Sequence, residues 1–106
     1  MSEFLFAAKA DEVKEGEIVA VEVDEKSIGL TRLNGKVCAF RDICTHDDGP
    51  LAEGTLEGDE VVCPRHGARF NLLTGKATFP APAPLPIYEA VEENGEIQVR
   101  IDSIDD

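Results

Sequence analysis

The sequence predicts an all-β chain of short antiparallel strands. Three observations carry that expectation. β-Branched and aromatic residues gather in short runs separated by turn residues. Two Asn-Gly dipeptides, Asn34-Gly35 and Asn94-Gly95, each stand between two such runs, and Asn-Gly is the strongest short hairpin signal because both residues tolerate positive φ. Helix is expected only as one short turn within residues 11–16. With 106 residues there is room for one domain, so residues 1–106 are read as a single unit.

Taken in order, residues 17–23 are β-branched and read as the first strand. Residues 27–33 read as the second, and residues 36–41 return antiparallel after Asn34-Gly35. A polar stretch follows at 53–59, then a short strand at 60–62. Residues 67–73 continue in extended form, and Thr74-Gly75 turns. Residues 79–86 hold four prolines, which lack the N–H an inner strand or helix must donate, so this is a connector or a covering loop. Residues 87–91 and 96–101 form a last hairpin around Asn94-Gly95, and the tail beyond is expected to fray.

Composition narrows the class of partner. Ten Lys and Arg stand against twenty-two Asp and Glu, a net charge of −12. Nucleic-acid binding needs basic residues on one face, so it is excluded as an expectation. The longest apolar run near the start, Phe4 to Ala8, is far short of the roughly twenty residues that span a bilayer. No membrane contact is expected, and the protein is read as a cytoplasmic monomer. Its three cysteines, with no secretory segment, suit a reducing compartment. Apolar residues make up 42% of the chain, enough for a modest core that a bound metal would reinforce.

Chemistry concentrates in two short motifs. Cys44-Thr45-His46 is a C-x-H, Cys63-Pro64-Arg65-His66 is a C-x-x-H, and sixteen residues separate them. The chain has only two histidines, and both are here. Two thiols and two imidazoles in such a pattern point to a metal. One candidate is structural zinc, which accepts Cys₂His₂ in a tetrahedron. Its usual signature pairs Cys with Cys and His with His, whereas here each motif mixes the two.

The motifs and their flanks, from Cys44 to Leu51 and from Cys63 to Phe70, resemble the Rieske proteins. In that family two Cys bind one iron of a [2Fe–2S] cluster and two His bind the other. The resemblance implies the Rieske fold: an antiparallel β-sandwich-like base with a small cluster-binding subdomain inserted, here at about residues 42–86. It assigns Cys44, His46, Cys63 and His66 as cofactor-binding metal ligands, and the proline segment at 79–86 as a third loop over the cluster. Neutral imidazole donates less charge than thiolate, so the His-bound iron takes the electron and His46 and His66 form its exit.

Departures from the family pattern indicate the type. Respiratory members carry an extra Cys in each cluster loop, where this chain has Gly49 or a neighbour and Arg65. Cys38, the third cysteine, then lacks a partner and reads as a small buried hydrophobe. High-potential members place hydroxyls where Ala68 and Phe70 stand, and such donors raise the potential. A potential near the low end of the range, roughly −150 mV, is therefore expected. Arg41, Arg65 and Arg69 either are solvated or pair with Asp42, Asp47 or Asp48, or they shape a docking face.

The resemblance implies a soluble ferredoxin that passes single electrons from a flavin-containing reductase to a terminal non-haem iron oxygenase, with no catalytic residues of its own. The alternative is a Rieske-like small subunit of a larger oxidoreductase such as assimilatory nitrite reductase. A self-sufficient oxygenase would need a second iron held by two His and a carboxylate, and no His is left for it.

Overall fold

The computed structural model describes residues 4–42, 51, 54–63, 67–77 and 85–100. Nine strands appear among them: β1 (Phe4–Lys9), β2 (Val19–Val23), β3 (Lys26–Leu33), β4 (Lys36–Arg41), β5 (Thr55–Glu57), β6 (Glu60–Val62), β7 (Arg69–Asn71), β8 (Ile87–Glu93) and β9 (Glu96–Arg100). They form a six-stranded sheet in the order β1-β9-β8-β4-β3-β2 and a three-stranded sheet β5-β6-β7, with every strand pair antiparallel. Although β1 and β2 close opposite ends of the large sheet, they lie near one another, so the sheet curls over its own core. That is the all-β, sandwich-like base the sequence predicts.

The hairpins form where the turn residues place them. Asn34 and Gly35 adopt φ of 53° and 82°, Asn94 and Gly95 54° and 77°, the paired positive values of a turn whose twist matches its strands. A third such turn joins β2 to β3 through Asp24 and Glu25, at φ of 52° and 68°, without any glycine.

The structure departs from the sequence reading in four places. β1 is a strand, paired with β9 from the far end of the chain, and its apolar run lacks the alternation that would mark it. The polar stretch at 53–59 contains β5, which exists because Leu56 packs inward opposite Val61 while Thr55 and Glu57 face out. Of the extended segment 67–73, only Arg69–Asn71 pairs as a strand. The Asn71 side-chain oxygen accepts the N–H groups of Leu73 and Thr74 at 2.8 and 3.1 Å, turning the chain there. The helical turn is shorter than 11–16, a 3₁₀ turn at Ala10–Glu12.

Two apolar clusters divide the interior, and β3 and β4 contribute to both. Ile28, Leu30, Val37 and Ala39 point into the curled sheet with Val13, Val23, Tyr88, Ile97 and Val99. The alternate residues Leu33, Cys38 and Phe40 point to the opposite face, where Val61, Phe70 and Leu72 of the small sheet region cover them. Alternation along β4 therefore joins base to small sheet. Phe40 and Phe70 are both fully buried there, each contributing about 1.5–3 kcal/mol. Thr31, the one buried polar residue among those described, donates its hydroxyl to the Glu17 carbonyl at 2.6 Å.

Candidate metal centre

Of the four expected ligands, Cys63 lies among the described residues; Cys44, His46 and His66 lie outside them. Cys63 directly follows β6 and is 1% exposed, set in the apolar cluster with Leu51, Ala68, Phe70, Leu72 and Leu85. Its backbone bonds twice across the second motif. The Cys63 N–H donates to the Ala68 carbonyl at 2.8 Å, and the Gly67 N–H donates to the Cys63 carbonyl at 3.0 Å. Gly67 makes this turn at φ 75°, a region a side chain disfavours, which gives the glycine after His66 its physical reason.

The first motif is bracketed by Asp42 and Leu51. The Asp42 N–H donates to the Ser27 carbonyl at 3.0 Å, which extends the β3–β4 ladder by one step. One oxygen of its carboxylate accepts the Leu51 N–H at 2.7 Å, and the other accepts the Ser27 hydroxyl at 3.3 Å. Leu51 is fully buried, and its carbonyl accepts the Gly54 N–H at 2.8 Å. Nothing local in the sequence marks Asp42 for this, because its partner is nine residues away.

The proline segment returns to the same place. Residues 78–84 lie outside the described residues, but Leu85 is buried in the cluster that holds Cys63. The Leu85 N–H donates to the Gly75 carbonyl at 2.8 Å, and the Pro86 carbonyl accepts the Arg41 N–H at 3.0 Å. A Cβ on Gly75 would come within 2.5 Å of the Leu85 carbonyl oxygen, and Gly75 stands at φ 83°, so this approach requires glycine.

The remaining flanking residues sort by face. Ala68 and Phe70 are fully buried beside Cys63, and neither side chain can donate a hydrogen bond. Cys38 is buried in the same cluster, and desolvation pushes its thiol above the usual range, as befits a small hydrophobe. Among the described residues Arg69 bonds Glu57 at 2.7 Å and Glu60 at 3.2 Å on the outer face of the small sheet. The Glu57 carboxylate, then Glu60, raises its pKa further. Asp47, Asp48 and Arg65 lie outside the described residues.

The residues present suit an iron–sulfur group. Cys63 offers a buried thiol with no hydrogen-bond partner among the described residues, walled by apolar side chains. A bare thiolate there would be costly to desolvate. In an oxidised [2Fe–2S] unit held by two thiolates and two imidazoles, the sulfides and thiolates balance the ferric charge, and the whole carries none.

Comparison with known proteins agrees with this chemistry. The family model of the Rieske [2Fe–2S] domain matches residues 3–89. The ferredoxin component of the naphthalene 1,2-dioxygenase/salicylate 5-hydroxylase systems of Ralstonia sp. is 35% identical over 97 residues, covering 91% of this chain and 93% of that protein. A chain of the solved complex of reduced oxygenase and oxidized ferredoxin in carbazole 1,9a-dioxygenase superposes with a TM-score of 0.82 at 35% identity, covering 91% of each. The small subunit assigned to an NADH-dependent nitrite reductase of Mycobacterium tuberculosis superposes with a TM-score of 0.85, covering 98% of this chain and 99% of that one, at 23% identity.

Proposed function

The chain belongs to the Rieske [2Fe–2S] domain family, and from that premise we propose that it is the ferredoxin of an oxygenase system, taking single electrons from a flavin-containing reductase and delivering them to a terminal non-haem iron oxygenase. Cys44 and Cys63 hold one iron and His46 and His66 the other. When bound, the cluster supplies a one-electron couple. The chain's own residues set its surroundings. Cys63 presents its sulfur from an apolar wall, and Leu51, Leu72 and Leu85 exclude water from that wall. Ala68 and Phe70 withhold side-chain donors, which keeps the potential low. His46 and His66 would hold the iron that imidazole ligation makes the easier one to reduce, and so would form the edge facing the partner.

The observation that carries this reading is the buried Cys63 thiol, without a hydrogen-bond partner among the described residues and closed by its own backbone at the second motif of a chain whose relative serves as a ferredoxin component. The oxygenase partner is supported by the carbazole 1,9a-dioxygenase complex, whose matching chain is 35% identical. The nitrite reductase alternative rests on 23% identity, which speaks for the fold alone. Residues 1–106 act as one domain, with about 42–86 as its cluster-binding part, since one apolar cluster runs from β4 through the small sheet to Leu85. Operation as a monomer in the cytoplasm is part of this reading, a reducing compartment being one that keeps Cys44 and Cys63 free of disulfides. No helix among the described residues is long and apolar enough to cross a membrane.

Metal analysis and electron paramagnetic resonance of anaerobically prepared protein test the proposal. Iron and acid-labile sulfide in equal amounts, with an averaged g in the reduced state below that of all-Cys clusters, are expected. Stoichiometric zinc without iron would overturn it.

A further inference from the structure

The two ligand motifs are closed in different ways. The second lies between paired strands β6 and β7, and backbone bonds cross it, from Cys63 to Gly67 and Ala68. The first is flanked among the described residues by Asp42 and Leu51. It leaves the end of β4 and re-enters the described structure at Leu51, which belongs to no strand. A side chain does there what backbone does at the second motif. The Asp42 carboxylate accepts the Leu51 N–H at 2.7 Å while its other oxygen accepts the Ser27 hydroxyl at 3.3 Å. Asp42 is itself fixed to β3 by its N–H bond to the Ser27 carbonyl at 3.0 Å. Leu51, at the other side, is anchored in the core with no exposed surface and held again by Gly54 at 2.8 Å.

We propose that Asp42 is a positioning residue for the cluster: its carboxylate ties the two ends of the first ligand motif to the β3 edge, so that Cys44 and His46 are presented from a fixed neck. This rests on the assignment of Cys44 and His46 as ligands. Through its two oxygens the carboxylate accepts the Leu51 N–H and the Ser27 hydroxyl. Ligands held by a fixed neck rebind their iron after transient release, whereas a loosened neck lets them diffuse away. Asp42 therefore governs how long the cluster persists.

Substitution separates the acceptor from the charge. Asn at this position keeps one acceptor oxygen and loses the charge; Ala loses both. The measurement is the rate at which visible cluster absorbance decays in excess chelator, with the reduction potential determined on the same samples. Asp42→Ala is expected to speed decay on the order of tenfold, the effect of one charge-assisted hydrogen bond. Asp42→Asn is expected to stay within about threefold of the parent, and Ser27→Ala, which removes the hydroxyl donor, to fall between the two. If Asp42→Ala yields no folded protein, the order of Ser27→Ala, Asp42→Asn and the parent still decides. Equal potential shifts in the Asn and Ala variants, with decay unchanged in both, would overturn the proposal and leave Asp42 as a charge only. A parent protein that assembles no iron–sulfur cluster would instead sink the functional assignment, so the two failures are distinguishable.

Discussion

Ala68 and Phe70 are the residues through which the proposed cluster's surroundings can be tested. Both are fully buried in the cluster that contains Cys63, so whatever they present to that space is not diluted by water. Neither presents a donor. A hydroxyl introduced at either place would enter a dry region whose acceptors are few, and an unpaired hydroxyl there would be costly. Ala68→Ser and Phe70→Tyr are therefore each expected to raise the reduction potential. A hydrogen bond to a charged acceptor contributes on the order of 1.5–3 kcal/mol, and a tenfold change in a one-electron equilibrium is ~59 mV. A rise of several tens of millivolts follows, read by voltammetry on cluster-loaded protein. If both variants keep their cluster and the parent potential, missing side-chain donors are not what holds the site low. Cys38 behaves differently from Cys63 although both are buried in one cluster. It sits on β4, facing the small sheet, and its sulfur lies 3.8 Å from the Lys36 carbonyl oxygen.

The hairpins carry two element-scale consequences. The β2–β3 turn places Asp24 and Glu25 at φ of 52° and 68°, where L-residues with a Cβ are strained. The β3–β4 and β8–β9 turns solve the same geometry with Asn-Gly. Glu25→Gly is expected to stabilise the protein by about 1 kcal/mol, roughly 4–8 °C in melting temperature. A variant that melts at or below the parent would show that the turn is relaxed as it stands. The β3–β4 turn has a second support. Glu15 accepts the Asn34 N–H at 2.6 Å and the Gly35 N–H at 2.9 Å, and the bond from Gly35, then that from Asn34, holds its carboxyl below the ordinary value of 4.5. A carboxylate with a depressed folded-state pKa stabilises fully above its unfolded value and loses that contribution as pH falls through the folded one. The stability gap between the parent and Glu15→Gln should thus be constant near neutral pH and close only below about 4.5. Denaturant titrations across that range test this, and a gap independent of pH down to strong acid would show that the carboxylate charge has no part in it.

At the scale of the molecule, twenty-two acidic and ten basic residues make the whole surface field negative. Such a field steers a carrier toward basic partners and weakens as salt screens it, over about 8 Å at physiological ionic strength. Electron transfer with the cognate reductase is expected to slow as salt rises. Charge reversal at Asp47, Asp48 or Arg65, which flank the assigned His ligands in sequence, should change that rate more than reversal at Glu93 in the β8–β9 hairpin. Glu93 is the cleaner control because its neighbour Glu92 bonds Arg32 at 2.7 Å. Arg32 also donates to the Val13 and Ala10 carbonyls at 3.0 Å each, so reversing Glu92 would disturb the base. Stopped-flow reduction across a salt series gives the answer. Equal effects at both sets of positions without salt dependence would remove the case for steering toward the histidine edge.

What the sequence determined by itself was whatever neighbours along the chain encode. Asn34-Gly35 and Asn94-Gly95 turn because their own backbone permits it, and β3, β4, β8 and β9 follow from the runs those turns separate. The family was legible in two motifs and the residues beside them, because a metal's donor chemistry demands particular side chains at short spacing. Tertiary structure alone decided what depends on partners distant in sequence. It made β1 a strand by pairing it with β9, and β5 a strand by setting Leu56 against the core. It gave Arg69 to Glu57 and Glu60, and it made Asp42 a clamp by bringing Leu51 and Ser27 to its two oxygens. Each of these rests on a contact that exists only after folding, when burial of apolar surface has offset the entropy of bringing the segments together.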